Sequence, residues 1–281
     1  MSLTVFLMVL GAALVHATWN ALVKADGDRW SLIGVMAGTQ FVLSAALLPF
    51  FPIPAAVAWP YIAANTVLTT GYTLLLVRAY RHGDLSLVYP LARGISPLIV
   101  AGVMVFFMGE RLTWTAQIGV LTVGLAVTSL ALTRGASGLR DLPSVAIALA
   151  TGCFIATYTI VDGLGARAAQ SASGYMIWIT ILSSAVIVAF VLFRRRRSVA
   201  PIGQRTRRAG IASALLSYAS SWIVIVALTL APVPMVSALR ETGIVFAVLI
   251  GVVFLHERLS LARFASILAT LAGATLLKVS R

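Results

Sequence analysis

Phe107-Met108-Gly109-Glu110-Arg111-Leu112 and Phe254-Leu255-His256-Glu257-Arg258-Leu259 are two copies of one pattern, set 147 residues apart (257 − 110). The same offset pairs Val105 with Val252 and, upstream of each copy, Arg93 with Arg240 (240 − 93). Each copy closes a long apolar run, and such runs recur along the whole chain. They fall at roughly 3–23, 32–51, 61–80, 85–107, 114–133, 143–162, 173–193, 208–230, 235–255 and 261–279, each close to the 20 or so residues that cross a bilayer as a helix. Lipid offers the backbone no hydrogen bonds, so every run is expected to be helical. The offset divides ten runs into five and five, with 1–139 as one repeat and 140–281 as the other. An odd number of spans per repeat turns the halves upside down relative to each other. Inverted repeats place a solute site near the bilayer midplane, between the halves. The expected fold is therefore an all-α integral membrane protein of ten transmembrane helices in two inverted five-helix repeats.

Composition agrees. Of 281 residues, 60% are hydrophobic and 10% charged, with mean hydropathy +1.00, whereas a soluble domain carries about 25% charged residues. The ten runs leave no length for a soluble domain. The net charge of +13 does not point to nucleic acid, because the basic residues cluster at run ends, where they orient helices. The single cysteine, Cys153, lies in an apolar run and can form no internal disulfide. The first run lacks a basic leader and is as long as a span, so no cleavable signal is expected. Small residues such as Gly94, Gly102, Gly119 and Gly124 suit close helix packing. There is no Walker loop, zinc spacing or nucleophile elbow, and Gly-x-Gly pairs lie inside spans without the strand-turn-helix setting of a dinucleotide site. No cofactor or metal is expected.

The five-plus-five layout, with Gly109-Glu110-Arg111-Leu112 and His256-Glu257-Arg258-Leu259 each closing a fourth helix, resembles the EamA branch of the drug/metabolite transporter superfamily over nearly the whole chain. The resemblance implies a carrier, commonly an exporter of amino acids or other metabolites, with a central cavity lined by both halves. The segment Leu14-Val15-His16-Ala17-Thr18-Trp19-Asn20-Ala21-Leu22-Val23-Lys24 is more loosely similar to a subgroup associated with phosphonate use.

Candidate site residues are the polar and aromatic groups inside spans. Arg93 and Arg240 come first, since a charge within a span costs about 2.5–3.5 kcal/mol on insertion scales. Guanidinium forks bind carboxylate or phosphonate with two prongs; the competing readings are snorkelling and a structural ion pair. Glu241 has Gly94 at its repeat-related position. It is read as a site for a substrate ammonium, as a proton carrier, or as the partner of Arg93 in a gate. His16, Trp19 and Asn20 share one face of the first helix, as a binding stripe or as ordinary interhelical glue. Tyr158, Tyr89, Tyr72, Trp178 and Trp222 are aromatic candidates for stacking or for cation–π contacts, while Trp30, Trp59 and Trp114 read as interface anchors. Glu110-Arg111 and Glu257-Arg258 read as local salt bridges or helix-end anchors, and Asp162 as a solvated carboxylate closing the sixth span.

Of the 21 Lys and Arg residues, fifteen lie in odd-numbered connections, and only Arg111, Arg167, Lys278 and Arg281 lie on the other side. The positive-inside rule then puts both termini outside the cytoplasm, whereas carriers of the resembled family are drawn with both termini inside. The leading expectation is a secondary carrier, an exporter in the cell (inner or plasma) membrane. It would move a small amphoteric or anionic metabolite such as an amino acid or aminophosphonate by alternating access. A proton-coupled exporter of cationic drugs or amines would use Glu241 instead of the arginines. A membrane enzyme acting on lipid-linked substrates needs a cluster of acids or histidines, and the 8 acids and 3 histidines are scattered. Expected partners are the small-molecule substrate, membrane lipids and coupling protons, with the chain a monomer or homodimer.

Overall fold

The computed structural model describes residues 1–24, 28–82, 85–132, 142–195, 202–255 and 260–280. Its elements are α1 (Leu3–Lys24), α2 (Arg29–Leu47), α3 (Trp59–His82), α4 (Leu85–Phe106), α5 (Trp114–Leu132), α6 (Leu142–Ala168), α7 (Ala172–Arg195), α8 (Gln204–Leu230), α9 (Val233–Arg240), α10 (Gly243–Leu255) and α11 (Leu261–Val279). Two 3₁₀ turns, Leu48–Phe50 and Ala56–Ala58, join α2 to α3. No strand occurs among the described residues. Among those residues nine helical segments are long and apolar enough to cross a membrane, α9 and α10 counting as one. The tenth long helix, α3, has 24 residues and carries Asn65, Thr66, Thr69, Thr70 and Thr73 around its middle. The protein is a multi-pass, all-helical membrane protein.

The two chain ends meet on one side, where the amino group of Met1 donates to the Ser280 carbonyl oxygen at 2.8 Å. An even number of crossings does this. Helix partners also interchange between the halves. α1 packs on α8 as α6 packs on α3, α2 packs on α8 as α7 packs on α3, and α4 packs on α6 as the α9–α10 span packs on α1. The pairs α2–α7 and α5–α11 are their own counterparts. A two-fold relation between the halves has this signature, and with five spans per half its axis lies in the membrane plane.

Glycine sets the closest crossings. A β-carbon at Gly94 of α4 would stand 2.3 Å from Thr128 Oγ1 and 2.4 Å from its backbone nitrogen on α5. Gly119 and Gly273 bring α5 and α11 together in the same way. Gly102 faces open space instead, so the packing role expected for it does not hold. A run of small residues does not say which of them meets a neighbour.

Two run boundaries also differ from expectation. α6 continues to Ala168, beyond the expected end at 162. The ninth span breaks into α9 and α10 at Glu241 and Thr242. Through the break the backbone bonds skip three residues, Glu241 N to Ala238 O at 3.0 Å and Thr242 N to Leu239 O at 3.1 Å. Such 3₁₀ stretches inside a helix mark hinges and functional positions.

Candidate functional site

The polar groups converge where α1, α3, α4, α6 and the α9–α10 break meet. Arg93 lies eight residues into α4 and Glu241 eight residues past the start of α9, each about 12 Å along its helix from opposite membrane faces. Both are therefore near the midplane, and both are buried, at 5% and 2% exposure. Arg93 Nε donates to Glu241 Oε2 at 2.6 Å. Arg93 Nη1 stands 3.0 Å from His16 Nε2. A guanidinium can only donate, so His16 Nε2 is the acceptor and the ring proton sits on Nδ1. The Tyr89 ring, one turn before Arg93 on α4, lies 5.7 Å from its guanidinium carbon. Trp19 meets the His16 ring edge-on at 5.0 Å. Arg93 is thus held by an anion, an imidazole and an aromatic face.

Arg240 is placed differently. Its Nη2 donates to the Tyr158 hydroxyl at 3.0 Å, and the guanidinium carbon is 5.9 Å from that ring. Tyr72 of α3 packs edge-on against Tyr158 at 5.9 Å. Among the described residues no carboxylate forms an ion pair with Arg240, and its Nε is enclosed without a hydrogen-bond partner. The α9–α10 break explains the divergence: consecutive residues there send Arg240 to α6 and Glu241 across to α4.

The structure thus brings together Arg93, Glu241, His16, Trp19, Tyr89, Arg240, Tyr158 and Tyr72. Asn20 is tied to its own helix, its amide donating to the His16 carbonyl at 2.8 Å. Trp178 and Trp222 lie toward the even-numbered connections. Trp178 packs on Trp59 at 4.9 Å. Trp222 packs on Phe51 at 5.2 Å and Tyr218 at 5.5 Å, and its indole nitrogen donates to Ser173 Oγ at 3.0 Å. The partners of both rings named here belong to that face and include none of the arginine centre. The expected anchor Trp114 is exposed, at 80%, whereas Trp30 packs on Phe190.

Two acidic residues depart from their sequence reading. Glu110 is not a local partner of its own helix end. It sits past α4 and accepts from Arg167 Nη2 of α6 at 2.9 Å and from the Val233 backbone nitrogen at 3.4 Å. Arg167 also donates to the carbonyls of Leu228 and Ala231 at 2.9 Å each, so one ion pair ties both halves at the even-numbered face. Glu257 and Arg258 lie outside the described residues.

Asp162 is not a solvated helix end, because α6 runs six residues beyond it. It is 8% exposed, and its Oδ1 accepts from Asn65 Nδ2 at 2.6 Å and Tyr175 Oη at 3.2 Å. Gly163 and Gly165 serve packing as the helix continues: a β-carbon at Gly163 would meet Val233, and one at Gly165 would meet Tyr175 and Tyr61. A run extended to Arg167 would have shown Asp162 as an intramembrane carboxylate, which by itself marks a functional position.

Against known proteins, residues 142–279 match the model of the EamA-like transporter family. A solved structure titled only "Crystal structure of protein" superposes with TM-score 0.79, at 18% identity over 98% of this chain and 97% of that one. At that identity the likeness speaks for the fold alone. No curated protein matches the sequence.

Proposed function

We propose that the chain, whose residues 142–279 match the EamA-like transporter family model and whose helices are long and apolar enough to cross a bilayer, is a membrane transporter that carries a small amphoteric or anionic metabolite. Amino acids and aminophosphonates are the substrate class, export across the cell membrane the direction, and alternating access between the halves the mechanism. One observation carries the anionic part. Arg240 is an intramembrane cation whose described partners are a phenol and an aromatic ring, with Nε unsatisfied. An isolated charge in that setting is costly, and a carboxylate or phosphonate offered to the free edge of the guanidinium offsets the cost with two-pronged bonds.

Arg93 and Glu241 serve in this reading as a neutralised pair that holds α4 against the α9–α10 break. The pair joins the halves at the midplane, so rocking of one half against the other strains or parts it. Tyr158, Tyr72, Tyr89 and Trp19 wall the site, with His16 keeping Arg93 in place. Trp178 and Trp222 line the route toward the even-numbered face. Asn20 stays a candidate only as support for His16. The repeats 1–139 and 140–281 are the moving units, and no enzymatic step is assigned. A chain with no nucleotide-binding motif draws on a gradient, of protons or of the substrate itself.

A second reading, proton-coupled export of cationic drugs or amines, draws on Glu241, whose carboxylate would have to leave Arg93 to meet a cation. Thermal stability of the purified protein against a metabolite panel separates the two. Amino acids, aminophosphonates and simple carboxylates should raise the midpoint, and lipophilic amines should not. Stabilisation by the amines alone overturns the anion reading.

A further inference from the structure

We infer that Asp162, set by Asn65 and Tyr175, is the ammonium subsite of this carrier, so that the substrate is a zwitterion whose two charges are spread between Asp162 and Arg240. The inference rests on the proposed carriage of amphoteric metabolites and adds to it residues and a charge pattern.

Asp162 and Tyr158 stand four residues apart on α6 and so share one face, a single turn between them. Tyr158 holds Arg240, so the two intramembrane charges left without an ion-pair partner among the described residues are bracketed by one turn of one helix. Arg240 is close enough to Asp162 to act on it electrostatically. No ion pair joins them among the described residues, which leaves each charge to be met by one end of a zwitterion.

The hydrogen bonding of Asp162 favours an anion that meets a cation. Both donors, the Asn65 amide and the Tyr175 hydroxyl, fall on Oδ1. Thr69 Oγ1 donates to Asn65 Oδ1 at 3.1 Å and fixes which way the amide points. Oδ2 receives no donor from any described residue. A carboxylate steered by two donors onto one oxygen presents the other to a ligand, and buried charges in membrane proteins are kept where they pair with one another or with cargo.

Matched probes test this on the purified full-length protein in lipid nanodiscs: β-alanine against propionate, and 2-aminoethylphosphonate against ethylphosphonate. Each pair differs by the amine alone. The wild type should bind the amine-bearing member about ten- to a hundredfold more tightly. Asp162→Asn should bring that ratio to about one while leaving propionate affinity within about twofold, and Arg240→Ala should weaken both members. Equal binding of the members by the wild type, or an undiminished ratio in Asp162→Asn, overturns the ammonium subsite while the anion reading stands. Binding of neither member of either pair overturns the carrier reading and this inference with it. Where Asp162→Asn gives no folded protein, Tyr175→Phe decides, since it keeps the carboxylate and removes one positioning donor. A severalfold fall in the ratio supports the assignment and an unchanged ratio overturns it. Loss of sodium or proton dependence in Asp162→Asn with the ratio intact makes the residue a coupling-ion site and also overturns it.

Discussion

Arg93 and Arg240 occupy the same place in two copies of one pattern, yet the structure gives them opposite circumstances. Arg93 lies in an unbroken helix and is saturated by Glu241, His16 and the Tyr89 face. Arg240 lies at the end of a half-helix and, among the described residues, its hydrogen-bond and ring partner is a tyrosine. The asymmetry follows from one position: the residue after Arg240 is Glu241, and the residue after Arg93 is Gly94. Gly94 is needed where it is, because any side chain there meets Thr128 on α5. The second half has a carboxylate at that position, and it leaves its own arginine to neutralise the one in the other half. Repeat symmetry therefore picks out the two arginines, and departure from symmetry leaves Arg240 without a carboxylate partner among the described residues.

The comparison depends first on orientation, where the outcome is all or none. Inverted halves mean that Arg93 is approached from the face of the odd-numbered connections and Arg240 from the other. Fifteen basic residues against four favour odd connections in the cytoplasm. A reporter fused at the C-terminus should then be active only as an extracytoplasmic reporter. Activity of a cytoplasm-only reporter there reverses which arginine faces the cell interior.

Next in size is the fate of the saturated arginine. Arg93→Ala leaves Glu241 buried and unpaired, which costs about 3–5 kcal/mol, so the thermal midpoint and folded yield should fall sharply. Adding Glu241→Ala should recover a large part of the loss, because the uncompensated charge goes with it. A stable Arg93→Ala protein that has lost binding makes Arg93 the anion site after all, and erases the distinction between the two arginines.

Arg240→Ala should do the converse. Folding should change little, since no buried carboxylate is orphaned, while anion binding weakens by about ten- to a hundredfold, the worth of a charge-assisted bond of roughly 1.5–3 kcal/mol. Arg240→Lys should restore only part of it, since an ammonium is a point charge without the two-pronged fork. The quantity to measure is propionate affinity beside the unfolding midpoint. A large midpoint loss with unchanged affinity makes Arg240 structural.

Much of this was legible in the sequence. Run length and the 147-residue offset located ten helices and their inversion, because lipid admits so few backbone solutions. Arg93, Arg240, Glu241, His16 and Tyr158 stood out as polar groups with nowhere to hide, and they do converge. What periodicity misses is the third dimension. Nothing in the sequence of Glu241 tells that it turns to Arg93 and not to Arg240, since that is decided by a 3₁₀ break whose local sequence, Arg240-Glu241-Thr242-Gly243, contains no proline. Trp178 and Trp222 were drawn into the site by residue type alone, although their helix positions place them near the even-numbered face. Asp162 reads as a solvated carboxylate because the apolar run stops at 162, and the packing by which Gly163 and Gly165 carry the helix onward exists only in the folded chain.

The smallest expected effect is at Tyr158, and it sharpens the comparison most finely. Tyr158→Phe keeps the ring, hence the edge-on contact with Tyr72 and the aromatic neighbour of Arg240. It deletes only the hydroxyl that accepts from Arg240 Nη2. Single hydrogen bonds contribute about 0.5–1.5 kcal/mol net, so stability should change little. If the phenol serves to aim the guanidinium at an incoming anion, its loss should weaken propionate binding by about two- to tenfold, the same energy expressed as affinity. If instead the anion displaces the phenol from Nη2, removing the hydroxyl removes a competitor and binding should tighten. Either sign is readable by titration calorimetry beside Arg240→Ala. Tightening makes Tyr158 the occupant of the empty site, and weakening makes it part of the filled one. No change in the affinity of a folded Tyr158→Phe protein would mean that Arg240 Nη2 does not face the anion, and the contrast between the two arginines would then rest on Nη1 and the unsatisfied Nε alone.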